Sequence, residues 1–303
     1  MKIFVTGGAG FLGQHLIRQL STERHEVIAP TSSECDLRDF NNLSNFPQKF
    51  DVIYHLAAYT QAGDWCLKHP GEQWIINQQI NTNVLNWWFA NQKQAKMVAM
   101  GTSCSYAPGQ DLIETNYMSG EPIESLYTYA MTKRMLLQGL VALKKQYEMQ
   151  YLYVVPSTLY GAGYHQDGRQ MHFIFDLIRK ILRGKEFGEE VILWGDGDQR
   201  REIVHVDDFL ANLNSLLKSN KIEVYNLGSG EDYSIREFAI LICSIVGYDF
   251  SKINFDTSRY VGAKSKVLNV SKAKEELGYF ANRDLESGLR DVIDWFKTTK
   301  SYA

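Results

Sequence analysis

Lys2-Ile3-Phe4-Val5-Thr6 runs without a break into Gly7-Gly8-Ala9-Gly10-Phe11-Leu12-Gly13, which opens the apolar-periodic stretch FLGQHLIRQL of residues 11–20. A short apolar run, a glycine turn and a 3.6-residue period, in that order, predict strand, turn and helix. The glycines then have distinct jobs: a tight turn, a close backbone approach to a pyrophosphate, and tight seating of helix on strand. The helix that follows aims its unpaired N–H groups and positive dipole end at the same phosphates. Such spacing is weak alone. Set between a strand and a helix, it points to dinucleotide binding by Gly7, Gly10, Phe11, Leu12 and Gly13.

Outward from that unit the rhythm repeats. HEVIAP (25–30), DVIYHLA (51–57), KMVAMGTS (96–103) and YLYVVPS (151–157) are further apolar runs separated by helix-length segments. Strands alternating with helices predict an α/β fold, a doubly wound parallel sheet of the Rossmann kind with crossover helices on both faces. After Gly161 the rhythm breaks. A polar loop, GAGYHQDGRQ (161–170), precedes the helical FIFDLIRKIL (173–182), and VYNLGSG (224–230) reads as a further strand and turn. EIVHVDDFLANLNSLL (202–217) has the pattern of a helix returning to the sheet. The expected division is residues 1–161 plus 202–227 as a dinucleotide-binding domain, and 162–201 plus 228–303 as a smaller, C-terminal substrate-binding lobe.

A chain of 303 residues buries about three quarters of its unfolded surface, enough for both units. Its 32 basic and 35 acidic residues give a formal net charge of −3 with neither sign in a long run, which argues against a nucleic-acid-binding face. Cys35, Cys66, Cys104 and Cys243 are widely spaced, without a CxxC pair or matching histidines, so neither a metal site nor a disulfide framework is expected. Such cysteine usage fits a reducing cytoplasm. No apolar stretch approaches the roughly 18 residues of a membrane span, and a soluble, unanchored protein is expected.

At the end of the second strand an acidic residue would hydrogen-bond the adenosine ribose and repel a 2′-phosphate. Here stand Ala29-Pro30-Thr31-Ser32-Ser33, hydroxyls without a carboxylate, which favours NADP(H) with Ser32 as a contact. The lack of an arginine at this turn, Arg38 being the nearest cation, keeps NAD(H) open. Asp36, followed by Leu37, falls where a carboxylate either accepts from an adenine amino group or caps a helix. Tyr129 and Lys133 are four residues apart in TYAMTKRMLLQGL (128–140), so both project from one helix face. An ammonium beside a phenol, with an oxidised nicotinamide ring nearby, stabilises the phenolate and brings a group that titrates near 10 toward neutrality, where it can shuttle a proton. The strand before this helix ends Met100-Gly101-Thr102-Ser103. Thr102 offers a hydroxyl to a substrate oxygen, with Ser103 beside it.

GGAGFLG (7–13), HLAA (55–58), NTNVL (81–85), YAMTK (129–133), VPSTLYG (155–161) and REIVHVDD (201–208) stand in an order and at spacings that resemble the extended short-chain dehydrogenase/reductases over essentially the whole chain. The resemblance implies a nucleoside-diphosphate sugar as substrate and a homodimer joined through helices near 80–92 and 127–146. It also implies cofactor contacts from Leu56, Ala57, Ala58 and Pro156, and a structural role for His55 and Asn81. Thr102-Ser103-Cys104-Ser105-Tyr106 departs from the Thr-Asp-Glu of the family's dehydratases and is similar to members that epimerise GDP-linked 4-keto sugars. Those members place a second acid/base residue eleven positions beyond the Tyr-Gly that ends the next strand, which lands on His172; His165 competes from the same loop.

A carbonyl at C4 acidifies the C–H bonds at C3 and C5, so a base on one face and an acid on the other can invert them. The resemblance thus implies Cys104 as base, activated by the cofactor and Lys133, with His172 as acid. A buried structural cysteine and a loop histidine are the alternatives. By the same resemblance Arg201, Lys180 and Lys266 fall on basic contacts to the ligand and Thr158 on a substrate contact; a guanidinium suits bidentate phosphate binding, an ammonium only a point charge. Trp194 either stacks on the base or ends a strand. Tyr260-Val261-Gly262 replaces a Pro-Asp-Gly, and Thr158 an Asn, usual in the family. The expectation is an NADPH-dependent epimerase/reductase of a GDP-sugar. A nucleotide-sugar epimerase or dehydrogenase that retains NAD stays open, as does a cofactor-binding regulatory protein without catalysis.

Overall fold

β1 (Lys2–Thr6), β2 (Glu26–Ile28), β3 (Val52–His55), β4 (Lys96–Met100), β5 (Tyr151–Pro156) and a sixth strand, Val224–Leu227, form one parallel sheet in the computed structural model. Residues 1–61, 65–219, 221, 223–259 and 264–302 are described; Tyr260-Val261-Gly262 lies outside them. The central strands are apolar on both faces because helices cover both: Ile3, Phe4, Val5, Ile53, Tyr54, Val98 and Ala99 are fully buried. Across the sheet the order is β2, β1, β3, β4, β5, then Val224–Leu227. The chain winds one way from β1 to β2 and the other way from β3 onward, with Thr6 opposite His55 in the register. That reversal leaves a crevice beyond the carboxyl ends of β1 and β3, where open α/β sheets bind ligands.

The buried apolar side chains fall into two clusters. One surrounds the sheet and takes in the helices Phe11–Thr22, Pro70–Asn91, Tyr127–Tyr147 and Val206–Lys218. The other joins the strand Val191–Trp194 to the helices Phe173–Phe187, Ile235–Val246 and Leu285–Thr299. Residues 268–279 were grouped with the smaller lobe from sequence, yet Leu268, Val270, Ala273 and Tyr279 pack into the sheet's cluster. The reason is a return of the chain, 43 residues on, to the edge strand, where Asn226 Nδ2 donates to Leu112 O and Asn269 O, and Asn269 N–H to Leu112 O. Among the described residues, no helix is long and apolar enough to cross a membrane.

A buried polar chain ties the sheet to the helix Tyr127–Tyr147. Asn81 Nδ2 donates to Thr132 O at 3.4 Å, so its oxygen faces His55 Nε2 at 3.1 Å, and His55 Nδ1 meets Thr6 Oγ1 at 2.9 Å. Nε2 therefore carries the proton and Nδ1 accepts from the threonine. Burial, with nearby Lys133, holds this imidazole down to about 4, against the hydrogen bond from Asn81 that favours its charged form. Unfolded histidine titrates near 6.5, so the fold's preference for neutral His55 is fully present above that value and is lost as pH falls toward 4. The expected loss over that window is about 3 kcal/mol. In urea unfolding from pH 7 to 4, His55→Gln is expected to flatten this slope; an undiminished slope would show that another group sets it.

Candidate active site

The glycine turn is shaped by close backbone approach. Gly7 sits at φ +71°, and a Cβ there would lie 2.7 Å from Ala57 N; one on Gly13 would lie 2.3 Å from Gly7 O. Gly10 N–H donates back to Gly7 O, and Phe11 begins a helix whose first turn has no side-chain cap. Bare N–H groups at a helix start, floored by glycines, fit a pyrophosphate. Leu56, Ala57 and Ala58 form the facing rim at the end of β3, with Ala57 N–H donating to Thr6 Oγ1 at 3.2 Å. At the turn after β2, Ser32 is exposed, but the structure supplies the carboxylate that the sequence reading did not count there. Glu34 folds back so that Oε2 accepts from Thr31 N and Thr31 Oγ1. Asp36 has both oxygens on Arg38, and Leu37 is buried behind it. Pro156, half-buried, ends β5.

Thr102 leaves β4 through Gly101, where a Cβ would lie 2.6 Å from the Tyr153 ring and 2.9 Å from Tyr117 Oη. Those phenols relay the loop to the helix Tyr127–Tyr147: Thr102 N–H donates to Tyr117 Oη, Tyr117 pairs with Tyr153 Oη at 3.0 Å, and Tyr153 donates to Lys133 O at 2.8 Å. Arg134 clamps the same loop, with four hydrogen bonds to the backbone carbonyls of Ser105, Ser119 and Gly120. Tyr129 and Lys133 share a helix face, with Lys133 Nζ 5.9 Å from the Tyr129 ring centre. Burial, then the neighbouring Cys104, Tyr117 and Cys66, push Tyr129 up, while the Thr102 hydroxyl opposes by hydrogen bond. Lys133, buried, is itself lowered to about 8.

Cys104 is half-buried on a 3₁₀ turn, its N–H donating to Thr102 Oγ1 at 3.2 Å. Its activation was expected from Lys133, but the cation on the sulfur is Lys266, whose Nζ lies 2.8 Å from Sγ. Burial raises this thiol, and the Lys266 charge and hydrogen bond, Thr102 and Arg201 bring it to a net position below its ordinary value. The misreading has a simple cause: 162 residues separate the partners, and the contact depends on a strap at 264–270 that sequence does not locate. Arg200 N–H donates to Lys264 O, and the buried Glu202 carboxylate accepts from Leu268 N and Gly230 N. Burial lifts Glu202 to about 7 against those donors.

His172 takes the N-cap position of Phe173–Phe187 without using its side chain as a cap, and it is solvent-accessible. Crowding, then Lys266 and His165, hold its imidazole below the usual range. Lys266 thus bears on both proposed proton-handling groups. Ser103 and Thr158 are half-buried, Thr158 in a strand paired with Ile203–His205. Arg201 Nη1 donates to Arg200 O. Lys180 pairs with Asp176 at 2.9 Å, and with Arg259 it flanks the exposed Trp194 ring, at 5.9 and 5.7 Å. Sequence reading missed Arg134, Tyr117 and Tyr153, because lone aromatic and basic residues read as ordinary packing. Removing the clamp leaves the carbonyl of the buried Ser105 unsatisfied, so Arg134→Met is expected to lower unfolding stability by about 2 kcal/mol, read from urea midpoints. A loss below roughly 1 kcal/mol would mean the loop holds without it.

Residues 3–228 match the model of the NAD dependent epimerase/dehydratase family. The chain is 29% identical over 311 residues to GDP-L-colitose synthase of Yersinia pseudotuberculosis, covering 99% of each. It is 27% identical to GDP-L-fucose synthase of Azorhizobium caulinodans, covering 98% of this chain and 96% of that one. Its fold is shared with the GDP-mannoheptose C4 reductase of Campylobacter jejuni solved with NADP bound, at a TM-score of 0.84 and 23% identity over 98% of both chains. A family match over most of the chain, on top of the glycine turn and the Tyr129–Lys133 helix, makes the assignment plain: this chain belongs to the NAD dependent epimerase/dehydratase family.

Proposed function

We propose that the chain is an NADP(H)-dependent epimerase/reductase of a GDP-linked 4-keto sugar, of the GDP-L-fucose synthase type, working in the cytoplasm as a homodimer. The observation that carries this reading is the closeness of two pairs: the Tyr129 phenol with the Thr102 hydroxyl beside it, and the Cys104 thiol with the Lys266 cation on it. The first pair suits a carbonyl oxygen; the second suits a C–H bond beside that carbonyl. The names of the relatives, GDP-L-colitose synthase and GDP-L-fucose synthase, support a GDP-sugar. The NADP in the C. jejuni reductase supports NADP(H), as do the hydroxyls of Ser32 and Ser33, whereas Glu34 at the same turn keeps NAD(H) open.

Gly7, Gly10, Phe11, Leu12 and Gly13 would hold the dinucleotide phosphates, Ser32, Asp36 and Leu37 the adenosine end, and Leu56, Ala57, Ala58 and Pro156 the wall toward the nicotinamide, which when bound supplies hydride. Tyr129, kept protonated by burial, gives its proton to the C4 oxygen during reduction, and the Thr102 hydroxyl orients that oxygen. During epimerisation Cys104 takes a proton from a carbon beside the carbonyl, the bonding pair becomes an enolate, and His172 returns a proton from the other face. A diphosphate's negative charge entering beside Arg201 raises the imidazole and readies it as the acid. Lys180, Trp194, Ser103 and Thr158 complete the ligand's surroundings. Exposed Trp74 and Ile75 on one helix, with Tyr127, Met135 and Val141 on its neighbour, supply an apolar face for a second copy. On the first helix that face lies nearer its start than the 80–92 segment named from sequence.

Incubation with GDP-4-keto-6-deoxymannose and NADPH in deuterated water is expected to give a reduced product labelled at C3 and C5. Tyr129→Phe is expected to slow reduction by about 10²- to 10⁴-fold. Reduction without label removes the epimerase half of the reading, and label without NADPH consumption removes the reductase half.

A further inference from the structure

We infer that Lys266 is a positioning residue for proton transfer: its ammonium holds Cys104 as the thiolate, in place of the diphosphate contact that its family position suggests. The inference rests on Cys104 being the base of the proposed reaction, and three features of the structure carry it. Lys266 Nζ is 2.8 Å from Cys104 Sγ, within hydrogen-bonding reach of sulfur. An ammonium has only donors, so the contact favours the sulfur in the form that accepts. The lysine is also held in place from both sides. Two residues upstream, Lys264 O accepts from Arg200 N; two residues downstream, Leu268 N donates to Glu202 at 2.8 Å; and Asn269 N donates to Leu112 O. A flexible surface lysine has no such anchoring, and fixing its backbone reduces the side-chain freedom lost in keeping Nζ on the sulfur.

The remaining groups around the sulfur agree in sign. Arg201 adds a second positive charge and Thr102 a hydroxyl. Tyr129 and Cys66, the other titratable groups that sense Cys104, are both raised and so stay neutral. His172 is lowered first by burial and then by the same lysine. One ammonium thereby favours the deprotonated form of both groups: sulfur as thiolate, imidazole uncharged until a ligand's anion arrives. The step balances without another reactant. The thiolate sulfur takes the proton of the C–H bond beside the carbonyl, the C–H pair becomes the enolate double bond, the oxygen takes the charge, and Lys266 remains an ammonium throughout.

The test is the pH profile of Cys104 alkylation by iodoacetamide in the full chain, located by peptide mass and corrected with Cys104→Ser for Cys35, Cys66 and Cys243. Lys266→Met is expected to move the midpoint upward by about one pH unit or more, which slows alkylation near neutrality roughly tenfold. Lys266→Arg, which keeps the cation, is expected to restore most of it. In parallel, Lys266→Met is expected to lose deuterium incorporation more than it raises KM. An unmoved midpoint overturns the inference, and joined to a raised KM it returns Lys266 to the diphosphate. If the midpoint moves while Cys104→Ser still incorporates label, the lysine–thiolate pair stands and the reading of Cys104 as base falls.

Discussion

A neutral imidazole buried between a threonine hydroxyl and an asparagine amide fixes where the helix bearing Tyr129 and Lys133 stands. Thr6, His55 and Asn81 belong to β1, β3 and the helix Pro70–Asn91, and the chain ends on Thr132 O, one residue before Lys133. Thr6 also receives the N–H of Ala57, whose backbone crowds Gly7. One small network thus sets the distance between the glycine turn and the Tyr129–Lys133 helix. It works because its central residue stays uncharged; a proton on Nδ1 would face the threonine with a donor where an acceptor is needed.

From the other side the loop after β4 is fixed by different means. Arg134 grips it by three carbonyls, and the phenols of Tyr117 and Tyr153 run from its backbone to Lys133 O. Four neighbouring positions, Gly101 to Cys104, therefore carry a close-packed glycine, a hydroxyl near the phenol, and a sulfur under a cation. Burial decides the protonation of most groups here: it raises Tyr129 and Glu202 and lowers Lys133 and His55. Cys104 is the exception, because two cations outweigh its burial.

The parts of this architecture that were legible in the sequence are those written in local spacing. The alternation of apolar runs gave the parallel sheet; glycines at 7, 10 and 13 gave the turn; Tyr129 and Lys133, four apart, gave a shared helix face. Order along the chain even brought the late VYNL run to the sheet edge. What stayed hidden depends on the third dimension. Lys266 reads as one more basic residue until the strap lays it on Cys104, and Glu34 reads as a surface acid until it folds onto Thr31.

The two apolar clusters divide the chemistry unequally. Thr102, Cys104, Tyr129, Lys133 and the strap bearing Lys266 are anchored in the sheet's core, whereas His172 begins a helix whose Ile174 and Phe175 lie in the other. Under the proposed mechanism the proton acceptor and the oxygen's partners then stand on one packed core, and the opposing donor on the other. A widening between these cores leaves removal of hydrogen intact and sends its replacement back to the face it left. The sugar would then trade hydrogen with solvent while keeping its handedness, so that stereochemical fidelity, rather than turnover, becomes the property most exposed to slack between the lobes.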